Sequence, residues 1–184
     1  MLDASALIPR LPVLASALIR PLPLPVLAMI LKRLIRQSVY RHPSLFARLG
    51  DHATKGFLID PIDLPFVFYL QPLPKDPKLT VHRRKNCRKY DGRIAGSLAA
   101  LCGMIHGAYD GDALFFSRDI VVEGDTAAVL ALRNAIDDCE LDLFDEFTAL
   151  LGPAERFLVP GLQPIVAQMQ KRSGVVLRRV EVCL

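Results

Sequence analysis

The stretch from Ala95 to Asp125 constrains the fold of this chain more than any other segment. It combines an apolar helical run, a turn rich in Asp and Gly, a Phe-Phe pair and a short apolar strand that stops at Glu-Gly-Asp. A helix that rests on one strand needs only a single apolar stripe, and this stretch carries more apolar surface than that. We therefore predict that it forms one wall of an apolar cavity.

The composition indicates that much apolar surface is either buried or in contact with lipid. Hydrophobic residues make up 52% of the 184 residues, and the mean hydropathy is +0.30. A chain of this length can form one domain with a hydrophobic core. We predict three parts: an apolar, basic N-terminal arm at 1–41, a domain at 42–150, and a C-terminal helix and tail at 151–184.

The positive charge of the chain is concentrated in the arm. Residues 1–41 carry six basic side chains and one acidic one, whereas the rest of the chain carries 17 basic and 18 acidic ones. The longest uncharged run in the arm is Pro21–Leu31, and it contains three prolines. A membrane span needs about 20 apolar residues, so we do not expect the arm to cross a bilayer. The arm also lacks the basic start of a secretory signal.

Within the arm, Val26–Tyr40 is predicted to form a basic amphipathic helix. Its apolar residues recur at helical spacing, and its basic residues gather on another side. A helix of this type can lie in a lipid interface or can pack on its own domain, and the pattern leaves both open. The residues predicted to contact an anionic membrane are Leu27, Leu31, Lys32, Arg33 and Arg36.

The order of elements predicts an α/β fold. Helices are predicted at 43–56, 97–107, 127–137 and 162–171, strands at 57–60, 66–71, 79–84, 92–97 and 119–123, and a strand or an extended tail at 175–182. Ser97 caps the second helix, and Asp125 or Thr126 caps the third. The strand at 119–123 is apolar on both faces, so we expect it to be central in the sheet and covered on both sides.

Three charged features leave other functions open. The run HRRKNCRK at 82–89 could contact nucleic acid, anionic lipid or a partner protein, although charge runs of this kind are usually solvated loops. The acidic segment 137–146 could make the protein a structural adaptor for biosynthetic enzymes. The pair Asp145 and Glu146 could act as general acid and base in a lipid-processing enzyme with a scattered carboxylate site.

Common catalytic and metal-binding motifs are missing from the sequence. There is no nucleophile elbow, no P-loop and no dinucleotide-binding glycine pattern. The four cysteines show no CxxC spacing and the four histidines form no HxxxH pair, so we predict neither a metal site nor a cofactor. Unpaired cysteines of this kind fit a reducing cytoplasm.

The run from Ile94 to Asp125 resembles the sterol carrier protein type 2 domain, a family of lipid-binding domains. The matching pieces are a strand ending in Gly-Ser (94–97), an apolar helix ending in Gly (98–107), an acidic turn (109–112), an Ala-Leu-Phe-Phe-Ser segment (113–117) and a strand closed by Glu-Gly-Asp (120–125). The resemblance covers residues 42–140. It implies a five-stranded, mainly antiparallel sheet covered by helices, with a hydrophobic lipid tunnel.

The segment Phe115–Asp138, together with the apolar arm, more closely resembles the bacterial ubiquinone biosynthesis accessory factors of the UbiT group. That resemblance implies a role in oxygen-independent ubiquinone biosynthesis beside the UbiU and UbiV hydroxylation proteins. We therefore predict a non-catalytic, cytoplasmic and peripherally membrane-associated protein that binds polyprenylated ubiquinone precursors or phospholipid. The predicted tunnel-lining residues are Leu98, Leu101, Met104, Ile105, Phe115, Phe116, Ile120 and Leu130.

Overall fold

The computed structural model describes residues 23–84, 89–106, 111–139 and 141–150. Its helices are α1 (Leu24–Arg41), α2 (Leu98–Ile105), α3 (Gly111–Phe116), α4 (Thr126–Asp138) and α5 (Leu143–Ala149), and a 3-10 helix spans Ala47–Thr54. Its strands are β1 (Phe57–Pro61), β2 (Phe66–Gln71), β3 (Lys78–Arg83), β4 (Gly92–Gly96) and β5 (Ile120–Gly124). The predicted α/β fold class is confirmed.

The five strands form one sheet in the order β3-β2-β1-β4-β5. β1 and β4 pair in parallel, and the other neighbouring pairs are antiparallel, as predicted. Ile94 on β4 lies opposite Val122 on β5, and Ile120 is two residues away along the same strand. Because side chains alternate along a strand, these three residues share one face of the sheet.

The main hydrophobic core lies between that face and the helices. Phe57 on β1 and Leu132 on α4 are among its fully buried side chains. A second, smaller cluster contains Leu64, Phe66 and Val81, and apolar residues of α1 pack against it. Helix α1 is therefore docked on the sheet at the β3 end.

The Glu-Gly-Asp ending of β5 has a clear structural reason. Gly124 has a φ of +81°, and a side chain there would clash with the backbone carbonyl of Asp91. The next residue, Asp125, donates its backbone N–H to that same carbonyl at 2.8 Å. Its side chain then accepts a hydrogen bond from the backbone of Ala128 at 2.9 Å and caps α4. The motif thus turns the chain from the sheet edge directly into a helix.

The predicted cap Ser97 and, of the two candidates for the third helix, Asp125 are confirmed. Ser97 caps α2, with its hydroxyl accepting from the Ala100 amide at 3.1 Å. Leu45, Phe46 and Leu49 are buried in the main core. These residues lie in turns and in the 3-10 helix, and not in the helix that was predicted over 43–56. Gly50, with a φ of +50°, breaks the helical path within this segment.

The prediction that the strand at 119–123 is central is wrong. Among the described residues, β5 is an outermost strand of the sheet and pairs with β4 alone, and Val121 is 45% exposed. The face of β5 that carries Ile120 and Val122 packs against the helices. A strand that is apolar on both faces therefore need not be covered on both faces. The predicted elements at 162–171 and 175–182, the first part of the arm and residues 85–88 lie outside the described residues. The predicted domain boundaries stay predictions.

Candidate functional site

An apolar cavity of about 280 Å³ lies at the β5 edge of the sheet, beneath the helices. It is open to solvent on one side, where Phe115 and Leu130 are each about half exposed. The lining residues come from β4, β5, α2, α3 and α4: Ile94, Met104, Asp112, Phe115, Ile120, Val122, Thr126, Val129, Leu130 and Arg133.

Helix α4 supplies the longest wall of the cavity. Thr126, Val129, Leu130 and Arg133 are spaced by three, four and seven residues from the first, so they form one stripe on the helix. Seven residues of α-helix span about 10 Å. The opposite wall is the sheet face that carries Ile94, Ile120 and Val122. The cavity therefore runs along α4 between the helix and the edge of the sheet.

Helix α3 closes one side of the cavity. Leu114 is its buried anchor, at 3% exposed, whereas Phe115 and Phe116 are 54% and 82% exposed. The two Phe rings pack edge to face, with centroids 6.0 Å apart. The mouth of the cavity therefore has an apolar rim that faces solvent.

One ion pair crosses the cavity wall. Arg133 on α4 donates to Asp112 on α3 at 2.9 Å, and its Nε lies 3.4 Å from Asp137 one turn further along α4. The Nε atom is buried and has no hydrogen-bond partner among the described residues. The cavity is thus apolar along most of its length and charged where α3 meets α4.

Of the eight predicted lining residues, the structure brings four to this cavity: Met104, Phe115, Ile120 and Leu130. The other four lie elsewhere. Leu101 is buried in the main core, Ile105 packs against it, and Leu98 packs against the second cluster. Phe116 points to solvent beside the mouth. That these residues bind lipid stays a prediction.

Sequence reasoning missed six lining residues: Ile94, Asp112, Val122, Thr126, Val129 and Arg133. Helical spacing could have identified the α4 residues, because they lie on the same stripe as Leu130, which was predicted to line the cavity. Only the sheet pairing places Ile94 beside Val122, so no local pattern could have selected that pair.

Helix α1 presents its basic side as a shallow surface groove of about 630 Å³, lined by Arg33, Arg36, Gln37, Tyr40, Arg41 and Ala149. Lys32, Arg33 and Arg36 are exposed, as membrane contact would require. Leu27 and Leu31 are half-buried and pack on the second cluster, so in this arrangement they contact the domain. The structure thus realises the docked form of the helix. No helix among the described residues is long and apolar enough to span a membrane.

The two carboxylates predicted as an acid–base pair, Asp145 and Glu146, lie in different environments. Glu146 is 2% exposed and accepts hydrogen bonds from Ser38 at 3.0 Å and Arg41 at 3.1 Å, with the His42 ring 3.3 Å away. Asp145 is exposed. A carboxylate that is enclosed and fully engaged with α1 is placed to hold that helix, which disfavours a shared acid–base role.

Other reactive groups are engaged or sequestered. Burial raises the pKa of the Cys102 thiol to about 12, and the charge of Asp63 adds to the shift, so this thiol stays protonated at neutral pH. Asp60, buried on the far face of the sheet, pairs with Arg84 and Arg93. Within the described ranges, no three His, Cys, Asp or Glu side chains are grouped as a metal site requires.

Comparisons with known proteins agree with this architecture. The family model described as the SCP-2 sterol transfer family matches residues 31–137. The chain is similar to a solved UbiJ-SCP2 ubiquinone synthesis protein, with 16% identity and a TM-score of 0.53, over 63% of this chain and 93% of that one. It is also similar to sterol carrier protein 2 from Yarrowia lipolytica, with 15% identity and a TM-score of 0.44, over 61% and 91% of the two chains. No curated protein matches. Since the family model covers more than half of the chain, the protein belongs to the SCP-2 sterol transfer family.

Proposed function

We propose that this protein binds lipid without acting on it chemically, and that the cavity beside α4 holds the apolar part of the ligand. The observation that carries the proposal is an open cavity whose wall is almost entirely apolar. Water in such a cavity makes few hydrogen bonds, so an aliphatic chain that displaces it is stabilised by about 0.8 kcal/mol for each CH₂ group removed from solvent.

The size of the cavity limits what it can hold. At about 280 Å³, it is near the lower end of the range of about 300–1,000 Å³ that is typical of small-molecule pockets. A whole polyprenyl lipid does not fit in it, whereas a head group with the first part of its tail does. The exposed rim at Phe115 and Phe116 gives the remainder of the tail an apolar surface to follow.

We further propose that the ligand is a polyprenylated ubiquinone precursor, with phospholipid as the alternative. The resemblance of Phe115–Asp138 to the UbiT group supports this, and a similar solved structure is a ubiquinone synthesis protein. In this proposal the protein shelters the apolar tail and presents the head group to soluble enzymes of the oxygen-independent pathway, such as UbiU and UbiV. It works in the cytoplasm at the membrane surface, to which the basic side of α1 attracts it.

The strand β5 offers a matched pair of variants to test the cavity. Val122→Phe adds bulk to the cavity wall, whereas Val121→Phe makes the same change one residue away, on the opposite and 45%-exposed face. We expect Val122→Phe to reduce lipid uptake strongly and Val121→Phe to leave it at the wild-type level. Native mass spectrometry of each protein after incubation with phospholipid vesicles measures uptake, and thermal melting confirms folding.

Equal uptake by both folded variants would place the lipid elsewhere. A wild-type protein that takes up no lipid and carries none from its host would contradict the proposed function itself. Identification of the co-purified lipid then distinguishes a quinone precursor from a phospholipid.

A further inference from the structure

Two charged side chains, Asp112 and Arg133, lie among the apolar residues that line the cavity, and they differ in their exposure to solvent. Asp112 is 73% exposed and lies on the short helix α3. Arg133 is 24% exposed and lies in the middle of α4, next to the fully buried Leu132. An ion pair with one highly exposed partner contributes little to stability, so Asp112 can release Arg133 to water at small cost.

The guanidinium is not saturated by its present partners. It donates one hydrogen bond, to Asp112, and its buried Nε has none among the described residues although Asp137 lies 3.4 Å away. A guanidinium carries five N–H donors, so an incoming anionic oxygen finds donors on Arg133 that its hydrogen bond to Asp112 does not use. Arg133 therefore brings a guanidinium with unfilled hydrogen-bonding capacity to the cavity wall.

The position of Arg133 along α4 matches the shape of an amphiphile. The stripe on α4 begins at Thr126 and passes through Val129 and Leu130 before it reaches Arg133, about 10 Å from its start. A tail that lies along the apolar part of this stripe therefore brings its head group to the guanidinium.

On the basis of the proposed function, we propose that Arg133 binds an anionic head group of the lipid and that Asp112 pairs with the Arg133 guanidinium when no lipid is bound. The ligand class that fits is a lipid with a carboxylate or phosphate group, because the planar guanidinium donates two parallel hydrogen bonds to either. When the ligand binds, its anionic head group replaces the Asp112 carboxylate as the partner of Arg133, and Asp112 moves into solvent.

Three probes with one tail and different head groups test this proposal. Dodecanoate and dodecyl phosphate carry the two anionic groups, and dodecanol carries a neutral one. Binding is measured by displacement of a fluorescent fatty-acid probe from the full chain. We expect Arg133→Gln to weaken binding of both anionic probes about ten- to a hundredfold while dodecanol binding is unchanged. Arg133→Lys keeps the positive charge but cannot donate two parallel hydrogen bonds, so it should restore part of the lost binding of the anionic probes.

Asp112→Asn is the decisive second variant. It removes the competing carboxylate, so binding of the anionic probes should become about two- to fivefold tighter. A purely structural role of the ion pair would weaken binding in both variants, and opposite effects exclude it. The proposal is overturned if Arg133→Gln weakens all three probes equally or none of them. If the wild-type protein binds none of the probes, the proposed function fails along with it, whereas equal binding of all three overturns the head-group assignment alone.

Discussion

At the residue scale, Asp125 joins two parts of the fold through one carboxylate. One oxygen caps α4 through the Ala128 amide, and the other pairs with Lys55, which follows the 3-10 helix. The hydrogen bond from Lys55, followed by that from Ala128, lowers the pKa of Asp125 below its ordinary value. The stabilisation is therefore fully present above the ordinary pKa of about 4, and it is lost as the pH falls through the lowered pKa.

This sign gives a pH-dependent prediction for two variants. Asp125→Asn keeps an oxygen that can cap α4 but lacks the charge, so it should melt below the wild type at pH 7, and the gap should narrow as the pH falls below about 4 and through the lowered pKa of Asp125. Asp125→Ala loses the cap as well and should stay less stable than the wild type at every pH. Thermal melts followed by circular dichroism measure both, and a gap for Asp125→Asn that does not depend on pH would contradict the assignment.

At the scale of elements, α1 is fastened to the rest of the protein at both of its ends. Its first half packs on the second cluster over β3, and its last turn meets Glu146 of α5 through Ser38 and Arg41. These two partners lie more than 100 residues from Glu146 in the sequence. The acidic segment 137–146, which could have formed a solvated surface, thus contributes an internal anchor for α1.

Removal of this anchor should destabilise the fold. Glu146→Ala leaves the buried Ser38 hydroxyl and the Arg41 guanidinium without their acceptor, and we expect a loss of about 1–3 kcal/mol in the free energy of unfolding. Asp145→Ala, one residue away and exposed, is the matched control and should change it by less than about 0.5 kcal/mol. Urea denaturation gives both values, and similar losses in the two variants would argue against the anchor.

At the scale of the whole molecule, the apolar side of α1 packs on the domain, and its basic side carries the exposed Lys32 and Arg33. The predicted membrane contact therefore rests on charge more than on inserted apolar residues. Each basic side chain near an anionic membrane contributes about 1 kcal/mol, so attachment should be weak and sensitive to salt. Truncation through residue 41 is a poor test, because it removes the helix that covers the second cluster.

Point variants give a sharper test of membrane binding. Lys32→Gln with Arg33→Gln removes two exposed charges from α1, and we expect binding to anionic vesicles to fall about thirtyfold. Arg48→Gln with Arg118→Gln removes two exposed charges that lie outside both α1 and the basic run 82–89, so it is the control. Vesicle co-sedimentation with anionic and neutral lipid measures both. Equal losses would indicate an effect of net charge alone, and no loss in either would remove α1 from the membrane interface.

Residues whose role depends on near neighbours could be predicted from the sequence. Ser97 and Asp125 cap their helices through the amide three residues ahead, and short apolar or alternating runs located β1 to β4 within a residue or two. The same local reasoning failed for β5, because two apolar faces look alike whether a strand is central or at an edge. It also failed for Glu146, whose partners lie far away along the chain.

The sequence by itself determined the class of the fold, the positions of the five strands and of α1, α2 and α4 along the chain, and the family to which it belongs, since all of these follow from local pattern and from motif. Only the tertiary structure decided that β5 is an edge strand, that α1 packs on the sheet, and that a cavity opens between α4 and β5. A cavity is a volume that five elements leave unfilled, and no single segment encodes it. Its lining depends on which distant residues the sheet order brings together, and that is a property of the packed chain as a whole.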